Sequence, residues 1–522
     1  MKTVKLMVAL LMTVSLVFAG GTMNNTNQSA EYARTLNRTA STGVDAAYSN
    51  PAGLGMMPDG FYLSLSNQSI FQTRTVTNSH AYLNTKEFGG ETTAPLFPNF
   101  YAVWKSGKIA VSAGFEPIGG GGSAEFSDGL PSFEMPVSDL KAALAQTGVS
   151  DYRAQISFTG SSLYLGGQAG ITYSINEMIS VYAGARYVTG TNTYEGYLKG
   201  VEVNAGGNWV IPGDVLRGVA GQAAAGGAGV QPLIDAGVGS MSFAMLIAGG
   251  VVTQAQVDQI AAGLQAFGQP FDPNTSTPVI VKGTFDAVAD GYTAQASQLD
   301  AGFKDMEVDA KQTASGITPI IGLNLNFNDK VNIGLRYEML TELEFTNETT
   351  VDGSGMFPDG VKSRSDIPAM LMAGASFQAT PELKLEGSFH YYFDKDADYG
   401  YGDKHDEYIE NNAIEYGLAA EYLFGGKFIV SAGYLRAETA RNYSRNSDMS
   451  YGLGSHSLAG GFGYKLSDGI MLNAGYIKTL YDTDVEKTYT YVSPLLGQVP
   501  NVKETYEKTS DLIAIGLSFK LK

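Results

Sequence analysis

The sequence predicts an all-β fold, a transmembrane antiparallel β-barrel of about 14 strands. Three observations carry that expectation. The first is composition: 522 residues with 64 Gly, 30 Tyr and 25 Phe, only 16% charged residues and no Cys. That balance is unusual for a soluble chain of this length, and the missing Cys rules out a disulfide framework. The second is the lack of a helical span after the N-terminus, since the nearest apolar run, residues 241–252, is too short and holds two glycines. The third is alternation. Segment after segment sets apolar residues against small or polar ones with a period of two, as a wall with lipid outside and a polar lumen requires. A soluble sandwich would carry far more charge on its solvent face.

The elements follow in chain order. Lys2 and Lys5, an apolar run over residues 6–18 and small residues after it have the layout of a secretory signal peptide, residues 1–19, cleaved after Ala19. The run is too short to span a bilayer, and no Cys follows to carry a lipid anchor. Removing Lys2 and Lys5 takes the formal net charge from −18 to −20, which argues against nucleic acid as a partner. A first strand is expected near residues 60–75 and a closing strand near 508–522. Between them, tight turns read at "KSGK" (105–108), "SINEM" (174–178), "FNDK" (327–330), "ATPE" (379–382), "FGGK" (424–427) and "LSDG" (466–469). Each joins a strand pair, and longer polar segments separate the pairs, as periplasmic turns and extracellular loops do. Val331, Ile333, Leu335, Tyr337 and Met339 are expected to face lipid, with Asn332, Gly334, Arg336 and Glu338 inside. Leu385 and Phe389 against Lys384, Glu386 and His390 repeat the pattern, as do Ile513, Ile515 and Leu517 against Ala514, Gly516 and Ser518.

Ahead of the first strand stands "TASTGVDAAYSNPAGLG" (39–55), with Asn50, Pro51 and Ala52 at a compact turn. Pro51 suits the first position of a helical turn with Asn50 as its cap, a rigid knuckle. With this stretch, "APLFPNFYAVWKSGKIAVSAGFEPIGG" (94–120) and "GITYSINEMISVYAGARYV" (170–188), the chain resembles the FadL family, outer-membrane transporters of long-chain fatty acids and, in some members, of aromatic hydrocarbons. One departure is the C-terminus, which ends "LSFKLK" without the aromatic residue common in outer-membrane barrels. The resemblance implies a hatch, residues 20–58, plugging a barrel of residues 59–522 from the periplasmic side, and a long, partly helical extracellular loop at about 201–316. It implies a passive transporter in the bacterial outer membrane, not an enzyme, with no cofactor. Its partners would be a hydrophobic small-molecule ligand and outer-membrane lipid, and the chain is expected to be a monomer. Ligand would leave sideways, through a break in the third strand beside the hatch turn.

Candidate residues follow for each step. "TQAQVDQIAAGLQAFG" reads as an amphipathic helix capped by Thr253, with Val257, Ile260, Leu264 and Phe267 on one face. That face either forms a capture groove or packs against further helical pieces near 215–225, 231–248 and 285–303. Pro117 with Gly119, Gly120, Gly121 and Gly122 supplies material for the strand break, since Pro cannot donate to a ladder and glycines permit bends; the other reading is that these glycines only begin a loop. The wall is expected to be interrupted at or just before Pro117, with Asn50, Pro51 and Ala52 nearby. A fatty acid needs a basic partner for its carboxylate, whereas an aromatic hydrocarbon needs none. Arg336 and Lys384 are the clearest inward cations, with Arg153 and Arg186 behind them, and their other role is pairing with Glu338 and Glu386. His80, His390, His405 and His456 lie far apart with no zinc or hydrolase motif. Asp394, Asp396 and Asp398 lack the glycine and terminal carboxylate of a calcium loop and read as a solvated surface loop. A general porin and a surface adhesion barrel stand as the alternatives, the first needing an unplugged aqueous channel.

Overall fold

The computed structural model describes residues 29–483 and 485–521, so the expected signal peptide and the first residues of the expected hatch lie outside it. Fourteen long strands close into one antiparallel ring. They are β1 (Gly60–Asn78), β2 (Glu87–Ser106), β3 (Ile109–Phe126), β4 (Val149–Ser174), β5 (Ile179–Ala205), β6 (Met306–Phe327) and β7 (Val331–Glu338). The ring continues with β8 (Met370–Gln378), β9 (Leu383–Tyr392), β10 (Ile414–Phe424), β11 (Phe428–Glu438), β12 (Ser455–Ser467), β13 (Ile470–Tyr481) and β14 (Gly497–Leu521). Each strand pairs with the next, and β14 returns to β1 in a ladder from Phe61↔Leu521 to Asn78↔Glu504. Closure leaves no edge, which is what a sheet immersed in lipid must achieve.

The pleat sorts the side chains. Ile317, Ile321, Leu385, Phe389, Leu418, Ile513 and Ile515 are exposed on the outer face, while Asn332, Arg336, Glu338, Glu386, His390 and Glu415 are buried inside. All six tight turns lie at one end of the ring; the long loops lie at the other. Several strands run beyond the expected bounds. The closing strand starts at Gly497, and β5 and β6 stay paired up to Leu198↔Met306, so the helical insertion is confined to residues 206–305. Their main-chain groups remain satisfied by the neighbouring strand past the apolar belt, so nothing ends the ladder there.

Residues 29–58 run inside the ring at the short-turn end, as α1 (Ala30–Thr35), α2 (Ala46–Ser49) and a 3-10 turn (Pro51–Met56). Ser29 caps α1 by accepting from the Tyr32 amide. The inward glycines of the wall explain how this segment fits. A Cβ on Gly433 would lie 1.9 Å from the Thr35 carbonyl oxygen, and one on Gly334 2.1 Å from that of Thr39. Rows of Gly, Ala and Ser on the inner face are therefore contact surface for a second layer.

The insertion forms four helices, α4 (Pro212–Asp235), α5 (Phe243–Ala248), α6 (Gln254–Ala266) and α7 (Pro278–Gly302), beyond α3 (Pro131–Ser138), which follows β3. A single helix over 231–248 does not form. Gly237 takes a left-handed φ of 78°, and Ser242 begins α5 by capping the Met245 amide.

Candidate functional site

The inner segment is bonded to the wall almost all the way round. Glu31 accepts from Asn473 Nδ2 (2.8 Å) and Ser518 Oγ (2.7 Å); Thr39 Oγ1 meets His390 Nε2 at 2.7 Å, and Asn332 Nδ2 donates to the Ala40 carbonyl at 3.0 Å. Glu421 gathers three cations, Lys384 (2.7 Å), Arg34 (3.0 Å) and Arg38 (3.7 Å), the last also paired with Asp45 at 2.7 Å. Buried charges persist only when paired in this way.

Asn50, Pro51 and Ala52 sit against β4, β5 and β6. Thr172 Oγ1 donates to the Pro51 carbonyl and Ser180 Oγ to that of Ala52, both at 2.6 Å. Pro51 opens its turn and Asn50 holds the N-cap position, as expected, but the Asn50 side chain makes no capping bond. Its amide donates to the Ser41 carbonyl (2.9 Å) and to Asn324 Oδ1 (2.8 Å), tying the knuckle to the wall.

The ladder between β2 and β3 is interrupted. Pairing runs from Ser106↔Ile109 to Phe100↔Phe115 and resumes only at Thr92↔Ala124, so residues 93–99 and 116–123 are not partnered across the gap. Pro95, Pro98 and Pro117 fall in these stretches, and each lacks the N–H a ladder needs. On its other side β3 keeps its ladder to β4, shifting register at Pro117/Gly119 and at Gly120/Gly122. Gly119, Gly120, Gly121 and Gly122 thus lie within a strand and do not begin a loop. Gly120 and Gly122 have φ of 89° and 81°, where L side chains are strained. Leu96, at the outward kink of β2, is 76% exposed. The Asn-Pro-Ala turn is bonded elsewhere: Thr172, its partner, faces Ala110 on β3, seven positions before Pro117. Tyr48, one turn earlier, belongs instead to the apolar cluster that includes Tyr101 and Ile118 at the gap.

An apolar track follows the inward row of β5 toward that gap. At the long-loop end a pocket is lined by Phe133, Phe158, Leu198, Phe303, Met356 and Phe357. Phe357 stacks on Tyr194 at 4.8 Å; farther in, Phe345 and Tyr164 meet edge to face at 6.0 Å over Gly190, and Val188 follows. Ile118, beside Gly166 and Arg186, closes the series at the flank of the gap.

The other expected residues are placed differently. Val257 and Leu264 are buried in a cluster with Phe243, Leu246, Val281 and Phe285, and Ile260 and Phe267 pack against it, so this face of α6 is the core of the helical insertion and not an open groove. The helices of the insertion need this cluster to hold to one another, while Leu216, Ala296 and Leu299 pack against α3 and the strands instead. Phe267 alone also borders a cleft, of about 840 Å³, beside Tyr292 and Leu299. Arg336 lies between Glu338 (3.1 Å) and the Tyr48 carbonyl, with the Tyr48 ring 5.0 Å away, and Arg186 grips Glu338 through two bonds of 2.8 Å. Lys384 is held by Glu421 and, at 3.4 Å, by Glu386. A ligand carboxylate at Arg336 or Lys384 would have to displace a protein carboxylate. Arg153 pairs with Glu202 near the long loops, over the Trp209 ring. Asp394 is not solvated: it is fully buried, accepting from Tyr399 Oη (2.6 Å) and the Ala413 amide (2.8 Å), while Asp396 and Asp398 stay exposed. The signals that sequence reasoning passed over were Pro95 and Pro98, already present in the second strand.

No protein-family model matches the chain, and no curated protein matches it in sequence. Solved structures do. A Pseudomonas aeruginosa FadL homologue aligns with a TM-score of 0.57 at 12% identity, over 96% of this chain and 100% of that one. The Pseudomonas putida toluene transporter TodX gives 0.50 at 14% identity, over 95% and 99%. A TodX mutant, deltaS2S3, described as a monoaromatic hydrocarbon channel, gives 0.51 at 14% identity over 97% and 100%. At such identities the likeness is one of fold, and the fold of this chain is that of the FadL-type barrels.

Proposed function

We propose that the chain is an outer-membrane channel for hydrophobic small molecules, taken up at the long-loop end and released sideways into the membrane between β2 and β3. The observation that carries this reading is the interrupted β2–β3 ladder, reached by an apolar track in a ring whose axial route is filled by residues 29–58. A molecule that stays on apolar surface keeps roughly 25 cal/mol per Å² that crossing water would forfeit, so a side exit into lipid suits it and an axial exit does not. The toluene transporter TodX among the structural neighbours supports the same class of cargo.

The test uses the absence of native cysteine. A Cβ on Gly122 would stand 3.2 Å from that of Ala94 across the gap, close to bridging distance. In the double variant Ala94→Cys/Gly122→Cys, oxidation should cut uptake of a hydrophobic probe such as toluene or a fluorescent fatty acid at least tenfold, and a reductant should restore it. Undiminished uptake by the oxidised protein means that the side route is not used.

A further inference from the structure

The helical insertion stands on the rim of the ring by one end. At that end Leu216, Ala296 and Leu299 pack on α3 and the strands, whereas the cluster around Phe243, Leu246 and Phe285 is built from residues of the insertion itself. The 24 residues of α4 carry its far end about 36 Å along the helix from Pro212. Four large apolar side chains stand open there: Met245, Val251, Val279 and Ile280 are 57%, 48%, 52% and 56% exposed. Main-chain bonds draw them into one region. The Phe243 amide donates to the Ser276 carbonyl (3.1 Å) and the Ala244 amide to that of Pro273 (2.8 Å), which holds the start of α5 beside the start of α7, and the Val279 amide donates to the Gly239 carbonyl at 3.2 Å. Exposed apolar groups gathered in one place mark an interaction site, where single scattered ones do not. These residues take no part in the apolar track, whose outer pocket is lined by Phe133, Phe303 and Phe357.

The charges around this end have one sign. Residues 218–299 hold five aspartates and a single cation, Lys282, which Asp286 holds at 2.6 Å. Asp235 accepts from the neutral Gln231 side chain (2.8 Å), Asp258 from that of Gln254 (2.7 Å), and Asp272 from Asn274 and Thr275 of its own turn. Among the described residues none of these three carboxylates is in an ion pair. An apolar surface rimmed by such carboxylates repels a second copy of itself and an anionic lipid surface alike, and it attracts a partner of opposite charge. We propose that the far end of the insertion docks a cationic amphipathic segment of another protein, its apolar stripe on Met245, Val251, Val279 and Ile280 and its basic residues on Asp235, Asp258 and Asp272.

The test is calorimetric titration of the full chain in phosphatidylcholine nanodiscs, with empty nanodiscs as the blank. One probe is an amphipathic peptide of lysine and leucine; the other is its scrambled isomer, equal in charge and composition but without the apolar stripe. The amphipathic peptide should bind at least tenfold more tightly than its isomer. Met245→Ser with Ile280→Ser, which leaves the core of the insertion intact because both side chains are exposed, should weaken it at least tenfold. Asp235→Asn with Asp258→Asn should weaken it severalfold and flatten its dependence on salt. Equal binding of the two peptides, or binding that neither pair of substitutions weakens, overturns the proposal. Self-association of the wild type in sedimentation that Met245→Ser with Ile280→Ser abolishes also overturns it, by assigning the surface to a second copy. Adhesion to phosphatidylglycerol vesicles lost in the same variant overturns it in favour of lipid.

Discussion

Asp394 shows how a single residue can be misread when only its neighbours in sequence are known. Its spacing with Asp396 and Asp398 suggests a wet acidic loop, yet it is the buried pin of the loop between β9 and β10. Burial raises its carboxyl to about 6, against the bonds from Tyr399 and Ala413 that favour the anion. The sign of the pH effect follows. Because the folded value lies above the ordinary 3.8, the native loop holds the proton more tightly. Its contribution is therefore full below about 4 and is lost as pH rises through about 6, at a cost on the order of 3 kcal/mol. Hydrogen exchange of the Ala413 amide, corrected for intrinsic rates, should show protection falling between pH 4 and pH 7, and Asp394→Asn should flatten that dependence. A wild type with constant protection would contradict the assignment. The same difficulty explains the cations. Alternation located Arg336 and Lys384 on the inner face correctly, but which of them meets a carboxylate depends on strands far apart in sequence, such as β9 with β10 for Lys384 and Glu421.

Elements were more legible than residues, for a physical reason. Strand direction and tight turns are written locally, in a period of two and in Gly, Asn and Asp at the turns, and all six turns join the strand pairs they were expected to join. Strand ends were less legible, because β5, β6 and β14 continue past the outward apolar belt, held by their ladders and by packing against the long loops. The helical insertion was recognisable as helical, yet its apolar faces could not be told apart as groove or core until α4 to α7 were seen packed together. The glycines of the wall make a testable case. Gly433→Ala would drive a methyl into the Thr35 carbonyl, and neither backbone can retreat without breaking its own ladder or helix. Overpacking of this kind costs about 1–3 kcal/mol. Hydrogen exchange in residues 29–58 should speed up in this variant, whereas Gly167→Ala, with nothing within 4 Å of the added Cβ, should leave it unchanged.

At the scale of the whole molecule, the proposed function makes the ring and the segment inside it two separable barriers, one lateral and one axial. The lateral barrier is the wall, whose β2–β3 ladder is interrupted where three prolines lack the donors it needs. The axial barrier is residues 29–58, held by charge pairs of which Glu421 is the hub, with Arg34, Arg38 and Lys384 around it. Removing that one carboxylate takes from Arg34 its ion-pair partner, while Arg38 keeps Asp45 and Lys384 keeps Glu386; breaking a buried pair costs about 3–5 kcal/mol. The ring does not share the loss to the same extent, since its ladders are main-chain bonds. Glu421→Gln should therefore loosen the inner segment without unfolding the barrel, and the loosening should appear as permeability to small sugars. In liposome swelling the wild type should pass no arabinose, Glu421→Gln should pass it measurably, and the oxidised Ala94→Cys/Gly122→Cys protein should remain as tight as the wild type while its uptake of hydrophobic probe is lost. The two assays thus move independently, each with its own barrier. A wild type that already passes arabinose would make the ring an aqueous porin, and a Glu421→Gln protein that stays sealed would show that the contacts of the inner glycines, not the charge pairs, hold the axial barrier shut.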